Sequence, residues 1–291
     1  MPEGPECHMI AWKLGKWMHG HSVEHVTVHN GRYAKPRELA NSMIAEYNAA
    51  AKAAGTRLTE PVHVAAHGKL VYARLGNGWA MLSTMGLSGS WVTRTGPHCG
   101  VSLGLRDEIG NTKTLWFKDQ LHYGTIKFVP ITVLEDKLRK LGPDVMPTAL
   151  GAGGKCTHEW WKALCKRKGE WTLAKLLLDQ NQVAGIGNYL KAEALYEAGA
   201  SPLAQIKEFS ADELERVLEA VLAVTRRCYR WKAHRGKVPG HEAGVPRFLM
   251  KVYGKGLDPN RRKVIKTKTT DGRMTHWVPE VQTAPAGPQQ A

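Results

Sequence analysis

Apolar residues recur at helical spacing over residues 6–18, ECHMIAWKLGKWM, where Cys7, Ile10, Leu14 and Trp17 share one face. HSVEHVTVHN then alternates like a strand. VHVAAHGKLVYARL, GWAMLSTMGLSGSWVTR, CGVSLGLRD, TLWFKD and GTIKFVPI follow as short runs cut by Gly, Asp and Asn. They predict a β-rich domain of sandwich or barrel type over residues 1–140. Residues 141–154, LGPDVMPTALGAGG, have no periodicity and read as a linker. Helical spacing then takes over in THEWWKALCKRK, EWTLAKLLLDQ, NYLKAEALYEAG and SADELERVLEAVLAVTRRCYRWK, within a domain spanning 155–246 that ends in a Gly/Pro/basic loop. Residues 247–282 return to short strands and turns, and TAPAGPQQA, 283–291, reads as a disordered low-complexity tail. The expected fold class is α+β.

Composition narrows the class. The 291 residues are 43% hydrophobic, which is globular rather than disordered. No apolar run is long enough to span a bilayer, and the acidic start is unlike a signal peptide. An intracellular chain that is neither secreted nor membrane-bound is expected. The five cysteines are scattered without a CxxC, which argues for a reducing compartment and against a disulfide framework or a thiolate metal site. Net charge is +15, and residues 226–268 hold 14 Lys or Arg against Glu242 and Asp258. Such surplus, interleaved with Tyr229, Trp231, Phe248 and Tyr253, suits a polyanion with stackable groups.

Two stretches carry candidate chemistry. In LLLDQNQVAGIGNYLKAEAL an apolar helix ends near Gln180, a double turn holds Gly185 and Gly187, and a second helix starts at Asn188. With Asn188 as N-cap, that helix start would be a phosphate site. The opening MPEGPE allows three readings, the plainest being a frayed, functionally silent chain start. Pro and Glu suit a first helical turn, or Pro2, once Met1 is removed, presents a secondary amine beside Glu3. An α-amino group titrates near 7.7–8.0, against about 10.4 for lysine, so part of it is unprotonated at neutral pH.

Taken together, DQNQVAGIGNYLKAEAL, PEGPE, HGKL at 67–70, TMGLSG at 84–89 and LGPD at 141–144 resemble, in order and spacing, the formamidopyrimidine-DNA glycosylase / endonuclease VIII family of base-excision repair enzymes. The glycine of PEGPE is similar to the endonuclease VIII form. The resemblance implies an N-terminal β-sandwich, a helix-two-turn-helix DNA-binding domain and a C-terminal β-hairpin finger, acting as a monomer without a cofactor. It implies that Pro2 is the nucleophile forming a Schiff base, Glu3 the general acid/base and Lys69 a strand lysine that contacts phosphate and assists elimination. Asn188 would hold a phosphate. Glu6, near the nucleophile, is a DNA-binding candidate and equally a helix-start carboxylate. Leu87 takes the place of the family's inserted Met, and DQLHYG, 119–124, puts Leu121 where an Arg faces the orphaned base and Tyr123 where a Phe stacks.

The finger departs from the family pattern. Four zinc-ligating cysteines are replaced by Asn260, Lys263, Val278 and Val281, while GRMT and Gln282 remain. This resembles the zincless finger of some members, with no metal site and with Arg273 as the hairpin arginine. The implied activity is a bifunctional DNA glycosylase/abasic-site lyase acting by β,δ-elimination on damaged DNA, double-stranded with single-stranded left open. Oxidised pyrimidines, formamidopyrimidines and hydantoins are the expected lesions. The alternatives are preference for 8-oxoguanine, or a catalytically silent lesion- or nick-binding protein.

Overall fold

The computed structural model describes residues 2–54, 61–146, 156–240 and 244–283. The chain divides into two compact units, one made of Met1–Pro2 and Glu6–Lys140, the other of Glu3–Pro5 and Leu141–Ala291.

In the first unit, helix α1 (Gly4–Met18, whose first two residues belong to the second unit) precedes β1 (His21–Val28). Two antiparallel four-stranded sheets follow. One has the order β1, β6 (Cys99–Asp107), β7 (Thr112–Lys118), β5 (Ser90–Val92). The other runs β2 (His63–His67), β3 (Leu70–Arg74), β4 (Trp79–Thr84), β8 (Thr125–Pro130). Val26, Leu103 and Phe117 of the first sheet share one core with Val71, Met81 and Phe128 of the second, and Leu14 and Met18 of α1 complete it. Alternating side chains on each strand make such a sandwich possible, since one face of each sheet can be apolar throughout.

Three helices of this unit carry patterns that the strand reading passes over. They are α2 (Pro36–Ser42), α3 (Ile44–Ala54) and α4 (Ile131–Lys140). Pro36 occupies the start of α2, where its missing N–H costs nothing. In α3, Ile44, Tyr47 and Ala51 form a buried stripe. The Tyr47 hydroxyl donates to the Val23 carbonyl at 2.6 Å, and its ring lies 4.6 Å from that of Phe128.

The second unit holds α5 (His158–Arg167), α6 (Leu173–Leu178), α7 (Asn188–Ala198) and α8 (Ala211–Arg235). Thr157, Thr172 and Ser210 cap α5, α6 and α8 by accepting a backbone N–H. Leu164, Leu176, Leu190, Leu195 and Val221 build the core of this unit. The segment expected to be a linker is partly paired. Val145 N–H donates to Ala184 O at 3.1 Å and Ala184 N–H to Pro143 O at 2.9 Å, a short parallel bridge against the turn before α7. Residues 147–154 of that segment, and 284–291 of the expected tail, lie outside the described residues. The finger is a two-stranded ribbon of β9 (Ile265–Lys268) and β10 (Met274–Trp277).

Candidate active site

The first turn of α7 organises the candidate residues of the second unit. Its N-cap is Gly187 rather than Asn188. The N–H groups expected to meet a phosphate are taken by a carboxylate of the chain itself. Glu3, fully buried, accepts Gly187 N–H at 2.8 Å, Tyr189 N–H at 2.9 Å and Leu190 N–H at 3.1 Å. A helix N-terminus stabilises any anion placed on it, and charge-assisted bonds to three fixed amides set the side chain's orientation. Gly187 permits the approach, because a Cβ there would meet Glu3 Cδ at 2.2 Å. Gly4 N–H donates to Gly185 O at 2.8 Å, so the two turn glycines seat the start of the chain rather than a nucleic-acid backbone.

Asn188 donates from Nδ2 to Met274 O at 2.9 Å, and its Oδ1 is buried with no hydrogen-bond partner among the described residues. One proton of the amide is thus spent on β10. An NH2 group carries two, so the same contact aims a second donor. Arg273 is exposed at the turn of the β9–β10 ribbon. That turn closes with Thr269 N–H to Arg273 O at 3.0 Å and is tied to α6 by Thr270 Oγ1 against Thr172 Oγ1 at 2.7 Å.

The finger's interior explains the missing cysteines in physical terms. Val278 is fully buried with Val252 and Val264 against Ala192 and Tyr196 of α7, and Val281 packs on this cluster. Asp258 accepts Asn260 N–H at 2.9 Å, Arg262 N–H at 2.8 Å, Arg262 Nε at 2.7 Å and the Tyr196 hydroxyl at 3.0 Å. Burial opposes the charge on Asp258, but the bonds from Arg262 and Tyr196 prevail and hold the carboxyl below the usual carboxylate range. Glu193, buried in α7, accepts the N–H groups of Lys251, Val252 and Tyr253 at 2.7 to 3.0 Å. The residues at the four ligand positions do not fit a zinc ion. Among the described residues, no three His, Cys, Asp or Glu side chains gather in a way that could hold a metal.

In the first unit, Lys69 is in the two-residue turn between β2 and β3, not on a strand, because Gly68 takes φ +56° and reverses the chain there. Cys7 Sγ of α1 contacts Lys69 O at 3.6 Å, which ties this turn to the helix that follows Pro2. Pro2 is half-buried and non-helical, and Glu6 is in the first turn of α1. Leu87 is exposed in the β4–β5 turn, and Leu121 and Tyr123 are exposed in the β7–β8 loop. These two loops are locked together. Ser88 Oγ donates to Asp119 Oδ1 at 2.5 Å and accepts Leu121 N–H at 2.9 Å, while Asp119 Oδ2 accepts Gly124 N–H at 2.6 Å. At Gly86, with φ +53°, a Cβ would lie 2.5 Å from the Tyr123 carbonyl carbon. The three apolar side chains therefore stand on one braced platform.

Burial pushes the thiols of Cys156 and Cys165 up to about 12, which makes them poor nucleophiles. Sequence reasoning passed over Lys191, Glu193, Asp258, Asp271, Ser88 and Asp119. The signal for the first two was available, since NYLKAEALYEA has no continuous polar face and so reads as enclosed on all sides. No helix of the described residues is long and apolar enough to cross a membrane.

Comparison with known proteins agrees with this architecture. Residues 1–126 match the model of the formamidopyrimidine-DNA glycosylase N-terminal domain, and residues 152–237 that of the formamidopyrimidine-DNA glycosylase H2TH domain. Endonuclease 8 of Escherichia coli O17:K52:H18 (strain UMN026 / ExPEC) is 29% identical over 297 residues, spanning 97% of this chain and 100% of that protein. Endonuclease 8 of Shigella sonnei (strain Ss046) is 28% identical over 288 residues with the same coverage. Among solved structures, Lactococcus lactis Fpg (MutM) in complex with an oxidized pyrimidine containing DNA aligns with a TM-score of 0.73 at 18% identity, over 97% of this chain and 100% of that one. MutM (Fpg) from Thermus thermophilus aligns with a TM-score of 0.71 at 24% identity, over 97% and 98%. At these identities the structural likeness speaks for the fold.

Proposed function

Because the chain belongs to the formamidopyrimidine-DNA glycosylase / endonuclease VIII family, DNA glycosylases of base-excision repair with abasic-site lyase activity, we propose that it excises oxidised bases through a Schiff base on Pro2. The observation that carries this reading is Glu3, buried and held by three N–H groups of the α7 turn, with Pro2 as its covalent neighbour. Removal of Met1 would place a secondary amine directly beside this buried carboxylate.

After removal of Met1, the Pro2 nitrogen attacks the sugar C1′. The bond from C1′ to the base breaks and its electron pair leaves with the base, which takes up a proton. Glu3 manages the protons as the sugar ring opens and the C1′–O4′ bond gives way to an iminium. That cation acidifies C2′. Loss of its proton expels the 3′ phosphate, and a second elimination expels the 5′ phosphate. Lys69, in the hairpin turn braced by Cys7, assists elimination and meets a phosphate. Asn188, with its second amide proton, and exposed Arg273 hold phosphates near the lesion. Leu87, with Tyr123 and Leu121 on the same platform, fills the gap left by the extruded nucleotide. Leu121 cannot hydrogen-bond a base edge, which predicts weak opposite-base discrimination. Glu6 is assigned as a helix-start carboxylate near the site.

The full-length likeness to endonuclease 8 proteins supports the endonuclease VIII branch, and the lesions assigned on this reading are oxidised pyrimidines, formamidopyrimidines and hydantoins. Borohydride trapping on duplexes with an abasic site, thymine glycol or 8-oxoguanine tests the reading. A covalent adduct that Pro2→Gly abolishes is expected, strongest for the first two substrates. Dominance of 8-oxoguanine would move the specificity to the formamidopyrimidine branch. Absence of any adduct with processed protein would leave a silent lesion-binding protein.

A further inference from the structure

Both side chains of the ion pair Lys191–Asp271 are buried, 0% and 6% exposed, with Nζ 2.9 Å from Oδ2. Lys191 lies one turn after Asn188 on α7, and Asp271 lies in the ribbon turn two residues before Arg273. The two carboxylate oxygens of Asp271 have different tasks. Oδ2 takes the lysine, while Oδ1 accepts Arg273 N–H at 2.7 Å and the Thr269 hydroxyl at 3.0 Å. Gly272 between them has φ +78° and donates to Thr269 O at 2.8 Å. A helix residue is therefore connected, through one side chain, to the backbone amide of Arg273.

Burial pulls the Lys191 ammonium below its ordinary range, and Asp271 only partly offsets this. Buried ion pairs contribute little net stability against apolar replacements, and their best-attested use is to fix one arrangement among several. The ribbon needs such a device. Its strands are four residues long, too short for independent stability, and they carry an exposed arginine at the turn. The neighbouring contacts, Thr172 with Thr270 and Asn188 with Met274, flank the turn without reaching the Arg273 backbone.

We infer that Lys191 is a positioning residue, acting through Asp271 to hold Arg273 in the orientation in which it meets the DNA backbone, a task that a metal centre cannot perform in this finger. The inference rests on the reading above that Arg273 contacts DNA. It assigns to the first turn and a half of α7 three related duties, orienting Glu3, Asn188 and the arginine turn from one rigid element.

The test is equilibrium binding of a duplex with a tetrahydrofuran abasic-site analogue over a salt series, with borohydride trapping at saturating abasic DNA. Arg273→Ala is expected to weaken binding about tenfold and to lower the salt slope by about one counterion. Lys191 is buried, so it cannot itself release a counterion. A comparable fall of the slope in Lys191→Met therefore reports the lost arginine contact. Lys191→Arg should retain binding, Lys191→Met/Arg273→Ala should be no weaker than Arg273→Ala, and saturated trapping by Lys191→Met should stay near wild type. Where Lys191→Met does not fold, Lys191→Met/Asp271→Leu leaves no unpaired charge and should show the same loss of affinity and slope. An unchanged salt slope in Lys191→Met, or losses that multiply with Arg273→Ala, overturns the inference while the function stands. If Arg273→Ala itself is silent, the hairpin reading fails and the inference goes with it.

Discussion

Two hairpins of this protein carry a cation at the tip, Lys69 between β2 and β3 and Arg273 between β9 and β10, and they are made rigid by different means. The first is part of a four-stranded sheet, where β3 pairs with β4 along its whole length and Val71 and Ala73 are buried in the sandwich core. Its turn is formed by Gly68 and Lys69 and touches Cys7 of α1. The second is a ribbon with no third strand among the described residues. It depends on a small valine cluster, on the Asp258 loop, and on polar links to α6 and α7. A large core can place a functional side chain by register alone, whereas a small element needs dedicated polar contacts for the same accuracy.

Lys69→Ala should give the largest effect and the cleanest separation. Strand cleavage at an abasic site is expected to fall on the order of 10². Chemical denaturation should find stability within about 0.5 kcal/mol of wild type, since the surrounding sheet carries the turn. A large stability loss would show that the turn is less supported than its register suggests.

The ribbon should respond to packing. Val278→Ala removes two methyl groups from its buried cluster and is expected to cost roughly 1–3 kcal/mol, read from the denaturation midpoint. A neutral outcome would mean that the polar links alone hold the finger. Glu193→Gln retains the shape but loses the charge that three N–H groups address, and about 1–2 kcal/mol should follow. Amide exchange at residues 251–253 should speed up with it.

The smallest expected effect is on pH. His276 of β10 stands 4.8 Å from the Tyr253 ring; burial, aided by Lys266, lowers its pKa below the ordinary 6.5. As pH falls below about 6.5, the unfolded chain takes up a proton that the folded one refuses, so stability declines with acidification until the lowered folded pKa is reached. His276→Phe should flatten this slope, and a slope unchanged by that substitution would assign the acid sensitivity elsewhere.

Much of the first unit could be read from residues alone, because alternation of apolar and polar positions follows from the pleat of a strand and needs no knowledge of partners. Tyr47 and Ala51 on α3 were readable in the same way, from a helical stripe beginning at Ile44. The adjacency of Pro2 and Glu3 is covalent, so the joint chemistry proposed for them was open to inspection in six letters. Gly185 and Gly187 were visible as a double turn before a helix start. Only the folded chain revealed that the anion arriving there is Glu3, since the amides of a helix end accept any negative charge that geometry delivers. Lys191 and Asp271 are 80 residues apart, and no local pattern links them. Their pairing arises from packing of the ribbon on α7, which excludes water from both and leaves each as the other's partner.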